Sequence, residues 1–218
     1  YGAPSLYQLH ASLVRRSDDR GDGDGDGDEV APMETEGEKE GGVSIKVGLR
    51  TVELVQQPAQ PPAPGLAAGT SFFFRVNGVA VYAKGSNWIP ADVFEPRVTP
   101  ERLRWLLSLA AGAHMNMLRV WGGGRYQPDA FYEIADELGL MVWQELLFAC
   151  AMYPRDAAFL SLVGREVGEQ VARLAHHASV VIWGGSNENE FALSWYNESI
   201  VNRDLYLADY VRLYVDTL

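Results

Sequence analysis

Val180-Val181-Ile182-Trp183-Gly184-Gly185-Ser186-Asn187-Glu188-Asn189-Glu190 is an apolar run that ends in two glycines, an amide and a carboxylate. Its first four residues are wholly apolar, which suits a strand buried on both faces of a parallel sheet. Upstream, strand and helix alternate. Residues 156–177 predict a long helix, Leu140-Met141-Val142-Trp143 a strand, and Pro128 to Leu138 a helix with Phe131, Ile134, Ala135 and Leu138 on one face. Gly139 follows as a C′ residue. Met115 to Trp121 predicts a strand. The helix before it is opened by Thr99 as a cap and Pro100 at the first helical position, with Leu103, Leu106, Leu107 and Ala110 as its stripe. Gly78 to Lys84 predicts the first strand, and residues 203–218 a last helix bearing Leu205, Ala208, Val211 and Leu213.

Four β-α units in series specify an α/β fold with a parallel sheet, either doubly wound or a (β/α)8 TIM barrel. The strand ends separate the two. No G-x-G-x-x-G loop follows the first strand, which disfavours a dinucleotide fold. Instead, polar and aromatic residues stand just past several strands: Ser86, Asn87 and Trp88, then Trp121 to Arg125, then Gln144 and Glu145, then Asn187 and Glu188. A barrel gathers its chemistry at that C-terminal rim. The expectation is the first half of a barrel over residues 70–218.

Ahead of it, period-2 alternation marks half-buried strands: Leu9, Ala11 and Leu13, then Val43, Ile45, Val47 and Leu49, then Val52 and Leu54. These read as the last strands of a small β-sandwich over residues 1–57. A stretch with Pro58, Pro61, Pro62, Pro64, Gly65 and Gly69 over residues 58–69 reads as a linker.

With 218 residues, 47% of them hydrophobic, the chain holds apolar material for one domain and part of another. No run of about 18 apolar residues predicts a membrane span, and Tyr1 to Tyr7 has no basic n-region ahead of an apolar core, unlike a signal peptide. The net charge of -11 is concentrated in residues 17–40, where eleven acids face Arg20 and Lys39. Such a balance argues against nucleic acid, which needs clustered Lys and Arg. The run Gly21-Asp22-Gly23-Asp24-Gly25-Asp26-Gly27-Asp28 fails as an EF-hand, because the twelfth position from Asp22 is Met33 instead of a bidentate Glu. It reads as a disordered acidic hairpin tip. The single cysteine, Cys150, has no partner for an internal disulfide.

A carboxylate held beside buried aromatics loses hydration and keeps its proton toward neutral pH, which a general acid on a glycosidic oxygen requires. Glu188 is the candidate. The adjacent Asn187 offers an amide for a sugar hydroxyl. The competing reading is a solvated loop in which Asn187 and Glu188 merely cap the next helix. Trp88, Trp121, Trp143 and Trp183 all lie at or just past strand termini. Each alone reads as core; four together make a sugar-stacking platform. Arg119, a charge in an apolar strand, needs a partner. It serves either a structural salt bridge or an active-site carboxylate, with Glu145 or a carboxylate outside the chain as that partner. His114, His176 and His177 show no metal spacing.

Several of these runs resemble the β-mannosidases of glycoside hydrolase family 2, with the closest likeness to the animal lysosomal enzymes. They are Lys84 to Asp92, Asn116-Met117-Leu118-Arg119-Val120-Trp121-Gly122-Gly123-Gly124, Phe148-Ala149-Cys150-Ala151-Met152-Tyr153-Pro154, and Asn187-Glu188-Asn189-Glu190. Ser186 stands where the family pattern usually has a second Asn, and the loop after Glu190, with Trp195, is shorter. The resemblance implies an immunoglobulin-like sandwich followed by a (β/α)8 barrel. It implies retaining hydrolysis of terminal non-reducing β-linked mannose from glycoprotein oligosaccharides, with no metal or organic cofactor. Glu188 would be proton donor and then general base. Asn187, Asn87, Trp88, Arg119, Trp121, Trp143 and Glu145 would line the sugar site. The family's nucleophilic Glu lies on a later strand, so the chain is expected to be a fragment, inactive by itself. The alternatives are another family 2 hydrolase, for β-galactose, β-glucuronic acid or β-glucosamine, or a truncated product that only binds sugar. The sequon Asn197-Glu198-Ser199 fits the lysosomal, secretory route that the resemblance implies.

Overall fold

The computed structural model describes residues 5–14, 39–58, 64 and 67–218. Most of the acidic Gly-Asp insertion, including its Gly-Asp run, lies outside the described residues. β1 (Leu6–Val14) and β2 (Lys39–Gly48) pair antiparallel as a two-stranded sheet. β3 (Val52–Val55), β4 (Phe73–Val76) and β5 (Val79–Val81) form an antiparallel meander. Asn77 and Gly78, at φ 48° and 78°, supply the left-handed pair of a tight hairpin turn between β4 and β5. Because β3 pairs with β4, residues 58–69 join two neighbouring strands of one sheet. The division expected at the Pro-rich segment does not separate two sheets.

β6 (Gly85–Trp88), β7 (Met117–Val120), β8 (Met141–Glu145) and β9 (Val180–Gly184) form one parallel sheet in sequence order. The strands are connected by α1 (Pro100–Gly112), α2 (Asp129–Leu138) and α3 (Ala157–Leu174). After β9 come α4 (Asn189–Ala192), α5 (Asn197–Val201) and α6 (Arg203–Tyr214). No helix among the described residues is long and apolar enough to cross a membrane.

The first parallel strand differs from the expectation. Residues 78–84 do not form it. Val79–Val81 closes the meander, and the first parallel strand is built from Gly85, Ser86, Asn87 and Trp88, the last three of which the sequence places on the rim beyond a strand. The short apolar run Val79-Ala80-Val81 satisfies an antiparallel partner as well as a parallel one, so pattern alone cannot choose. Gly85 explains the shift: a Cβ there would stand 1.6 Å from the Met117 carbonyl oxygen, so only glycine lets β6 lie this close to β7. Asn116 locks the junction. Its side-chain oxygen accepts from the Lys84 N–H at 2.7 Å, and its amide donates to the Tyr82 carbonyl at 2.9 Å.

The helix starts follow their caps. The Thr99 hydroxyl accepts from the Arg102 N–H with Pro100 in the first turn, and the Asp156 carboxylate accepts from the Phe159 N–H. Gly139 ends α2 in the left-handed conformation at φ 68°. The main core fills the space between the sheet and the helices: Leu103 and Leu107 of α1, Leu118 and Val120 of β7, Phe131 and Ile134 of α2, Val142 of β8 and Leu174 of α3. The meander covers the strands' N-terminal end, where Phe74 and Val81 pack on Met117 and Met141. Asp136 joins α2 to the start of β9, accepting from the Ser179 N–H and facing His177 Nδ1, each at 2.7 Å.

Phe131 is fully buried and its ring lies 4.9 Å from that of Trp88. Phe131→Ala should therefore lower stability by about 3–5 kcal/mol, read as a reduced urea midpoint.

Candidate active site

The pleat sorts the side chains at the strand ends onto two faces. In β7, Leu118 and Val120 enter the helix-side core, so Arg119 points to the opposite face. Register places Asn87 and Trp143 beside it. The Arg119 guanidinium meets Glu145 Oε1 at 2.7–2.8 Å and donates to Asn87 Oδ1 at 3.2 Å. It also donates to Asn187 Oδ1, and its Cζ lies 4.9 Å from the centre of the Trp143 ring. The second Glu145 oxygen accepts from the Gly122 N–H at 2.8 Å. Glu145 is 1% exposed, and its charge is met by a cation and a backbone donor. Of the two partners left open for Arg119, Glu145 is the one the fold supplies.

Past the end of β9, Glu188 takes a left-handed backbone conformation, φ 59°, as α4 begins. The capping alternative does not hold, because the Glu188 carboxylate makes no cap hydrogen bond. It accepts instead from the Cys150 thiol, Sγ to Oε2 3.4 Å, while the Asn187 amide donates to the same sulfur at 3.1 Å. The loop after β8 is strapped to this segment. The Asn187 N–H donates to the Phe148 carbonyl and the Cys150 N–H to the Asn187 carbonyl, both at 2.9 Å. The Asn189 amide donates to the Ala151 carbonyl, and the Tyr196 hydroxyl to the Cys150 carbonyl.

Two expectations need correction. Glu188 is exposed, so the aromatic enclosure expected around its carboxylate is not built by the described residues. It follows β9, an edge strand flanked by β8 alone among the described residues, which leaves its other side open. Nor do the four tryptophans form one platform. Trp143 lies under Arg119, with its Nε1 buried and lacking a hydrogen-bond partner among the described residues. Trp88 and Trp183 pack against the helix-side core, and Trp88 Nε1 donates to Gln127 at 3.0 Å. Trp121, half-buried, follows β7. Positions of equal distance from a strand end had seemed equivalent in sequence, but the pleat sends alternate residues to opposite faces.

Cys150 had been read only as an unpaired thiol; its contact with Glu188 crosses 38 residues of chain, and no local pattern announces it. His177 is held by Asp136, and His114 and His176 are exposed. Among the described residues no cluster of His, Cys, Asp and Glu could hold a metal ion. Asn197 is exposed at the start of α5, while Ser199 of the sequon is buried and donates to the Tyr196 carbonyl at 2.9 Å. A cavity of about 400 Å3 opens at the other end of the sheet, lined by Leu6, Gly48, Arg50, Val81, Met141 and Ser179; the strand-end residues do not line it.

In fold, the chain groups with β-glycosidases. It is similar to Bacteroides uniformis β-glucuronidase 3, with a TM-score of 0.62 at 18% identity, over 98% of this chain and 23% of that one, a likeness of fold alone. The sequence is more particular. It is 51% identical over 187 residues to the β-mannosidase of Bos taurus, covering 83% of this chain and 21% of the relative. It is 43% identical to the β-D-mannosidase of Dictyoglomus thermophilum, whose crystal structure matches with a TM-score of 0.64 over 79% of this chain and 22% of that one. No family model matches the chain. The chain is a relative of the β-mannosidases, and spans about a fifth of the length of the curated relatives it matches.

Removing Glu145 strands the partly buried Arg119 charge and the Gly122 N–H. Glu145→Ala should cost about 3 kcal/mol, seen as a lower denaturation midpoint. Partial burial, and then the Glu188 carboxylate, push the Cys150 thiol pKa up. Alkylation of Cys150 by iodoacetamide should therefore lag an ordinary thiol at pH 8 and rise at more alkaline pH. Glu188→Gln, which removes the neighbouring negative charge, should speed it.

Proposed function

We propose that these residues form part of the active site of a retaining exo-β-mannosidase that removes terminal non-reducing β-linked mannose from glycoprotein oligosaccharides. The observation that carries this is the direction of Asn187 and Glu188. Both side chains turn from α4 toward Arg119 and the loop after β8, and so join the polar groups at the ends of β6, β7 and β8. Strand order running β6-β7-β8-β9 without reversal supports the first half of a (β/α)8 barrel over a doubly wound sheet, whose order reverses at a switch point. Residues 1–57 are the end of an immunoglobulin-like sandwich in this reading, and chemistry at the C-terminal strand ends is what a barrel provides.

In this reading Glu188 protonates the glycosidic oxygen as the leaving group departs, and then deprotonates the water that releases the sugar. A second carboxylate, about 5–5.5 Å away, attacks the anomeric carbon. Glu145 is not that group, because both its oxygens are engaged, one by Arg119 and one by the Gly122 N–H. The nucleophile comes from the part of the protein outside these residues. Asn187 has one amide hydrogen beyond the one given to Cys150, free for a sugar hydroxyl. Asn87 is exposed beside it, and Trp143 forms the floor. Trp88, half-buried at the end of β6, packs on the helix-side core with its indole N–H on Gln127. The exposed Asn197 and the animal relatives support a lysosomal location by the secretory route.

In the complete protein, Glu188→Gln should reduce hydrolysis of ordinary β-mannosides by about 100-fold or more with an unchanged melting temperature. A panel of chromogenic β-glycosides on the unmodified protein should show preference for mannose. Full turnover by the variant, or preference for another sugar, overturns the proposal.

A further inference from the structure

We infer that Cys150 is a positioning residue for the proton-donating carboxylate, its thiol bridging Asn187 and Glu188 and holding the Glu188 side chain toward the strand ends. The inference rests on the reading of Glu188 as proton donor. Three observations carry it.

The first is backbone strain on both sides of the contact. Glu188 and Cys150 are non-glycine residues in the left-handed region, at φ 59° and 53°. Such residues keep that conformation only where their surroundings hold it. Here the hold is mutual: Asn187 pairs in parallel with Ala149, and the Cys150 N–H donates to the Asn187 carbonyl. The strained turns face each other and present their side chains to one another.

The second is the bonding at sulfur. The thiol accepts from the Asn187 amide and donates to Glu188 Oε2, at distances ordinary for sulfur. Glu188 is exposed, and this thiol is the hydrogen-bond partner recorded for its carboxylate among the described residues. Without it, an exposed carboxylate is free to rotate through solvent.

The third is the protonation state. The charged groups acting on the thiol are the Glu188 carboxylate and, more weakly and in the opposite sense, the Arg119 guanidinium. Burial and Glu188 prevail and keep the hydrogen on sulfur, so the group remains a donor where a thiolate would repel the carboxylate.

The test uses the complete protein with two β-mannosides, one with a poor leaving group (phenyl) and one with a good one (2,4-dinitrophenyl) that needs little proton assistance. Cys150→Ala should lower kcat/KM on the phenyl substrate by about tenfold and leave the dinitrophenyl substrate nearly unchanged. Cys150→Ser, which keeps a donor, should restore most of the phenyl activity. Capping the wild-type thiol with methyl methanethiolsulfonate removes the donor without a substitution. It should reproduce the alanine pattern and be reversed by dithiothreitol, so the test survives an alanine variant that does not fold. Equal losses on both substrates, or wild-type behaviour of Cys150→Ala and of the capped protein, overturn the inference. Glu188→Gln serves as the control. If it is inactive on the phenyl substrate while Cys150→Ala matches wild type, only the role of Cys150 falls; if it is fully active, the reading of the site itself falls.

Discussion

A guanidinium set between two buried apolar residues of a central strand is the constraint on which the site depends. Arg119 lies between Leu118 and Val120, which are 2% and 1% exposed. A charge so placed is tolerable only when its donors are met. The rest of the sheet supplies the groups: Asn87 from β6, Glu145 and the Trp143 ring from β8, and Asn187 from just beyond β9. Pairing of the two charges satisfies Arg119 and also fixes the relative position of four strand ends. Because the second oxygen of Glu145 takes the Gly122 N–H, the loop after β7 is held by the same carboxylate.

The space for that arrangement depends on close approach. A side chain at Gly184 would place its Cβ 2.8 Å from Trp143 Nε1 and 3.0 Å from Glu145 Cγ. Glycine at this position therefore lets β9 pass beside the Arg119–Glu145 pair and deliver Asn187 and Glu188 to it. Beyond the glycine, the left-handed turn at Glu188 and the cross-bonded loop at Cys150 aim the carboxylate. The polar cluster is thus closely paired at its centre and exposed at Glu188.

Much of this was legible along the chain. The cap at Thr99, Gly139 ending α2, and the apolar stripe of α1 are local features, each decided within one turn of helix, and they predict the α/β alternation well. The Asn187-Glu188 pair stands out because two glycines and a polar run end an apolar strand. The need of Arg119 for a partner was equally readable, since a charge in an apolar strand is a debt wherever it occurs. The first parallel strand was not legible. Val79-Ala80-Val81 is as apolar as a buried parallel strand, and only the approach of Gly85 to Met117 shows which residues join the parallel sheet.

Sequence by itself determined the alternation of helix and strand from α1 to β9, the identity of the candidate acid, and the demand for a counter-charge to Arg119, because these follow from local periodicity, capping and the cost of burying a charge. Tertiary structure alone decided that Glu145 meets that demand, that Trp143 shares the face of Arg119 while Trp88 and Trp183 pack against the helix-side core, and that Cys150 reaches Glu188. Those outcomes depend on strand register and on contacts between residues 26 to 68 positions apart. A one-residue change of register turns every side chain of a strand to its other face, and no local pattern carries that information.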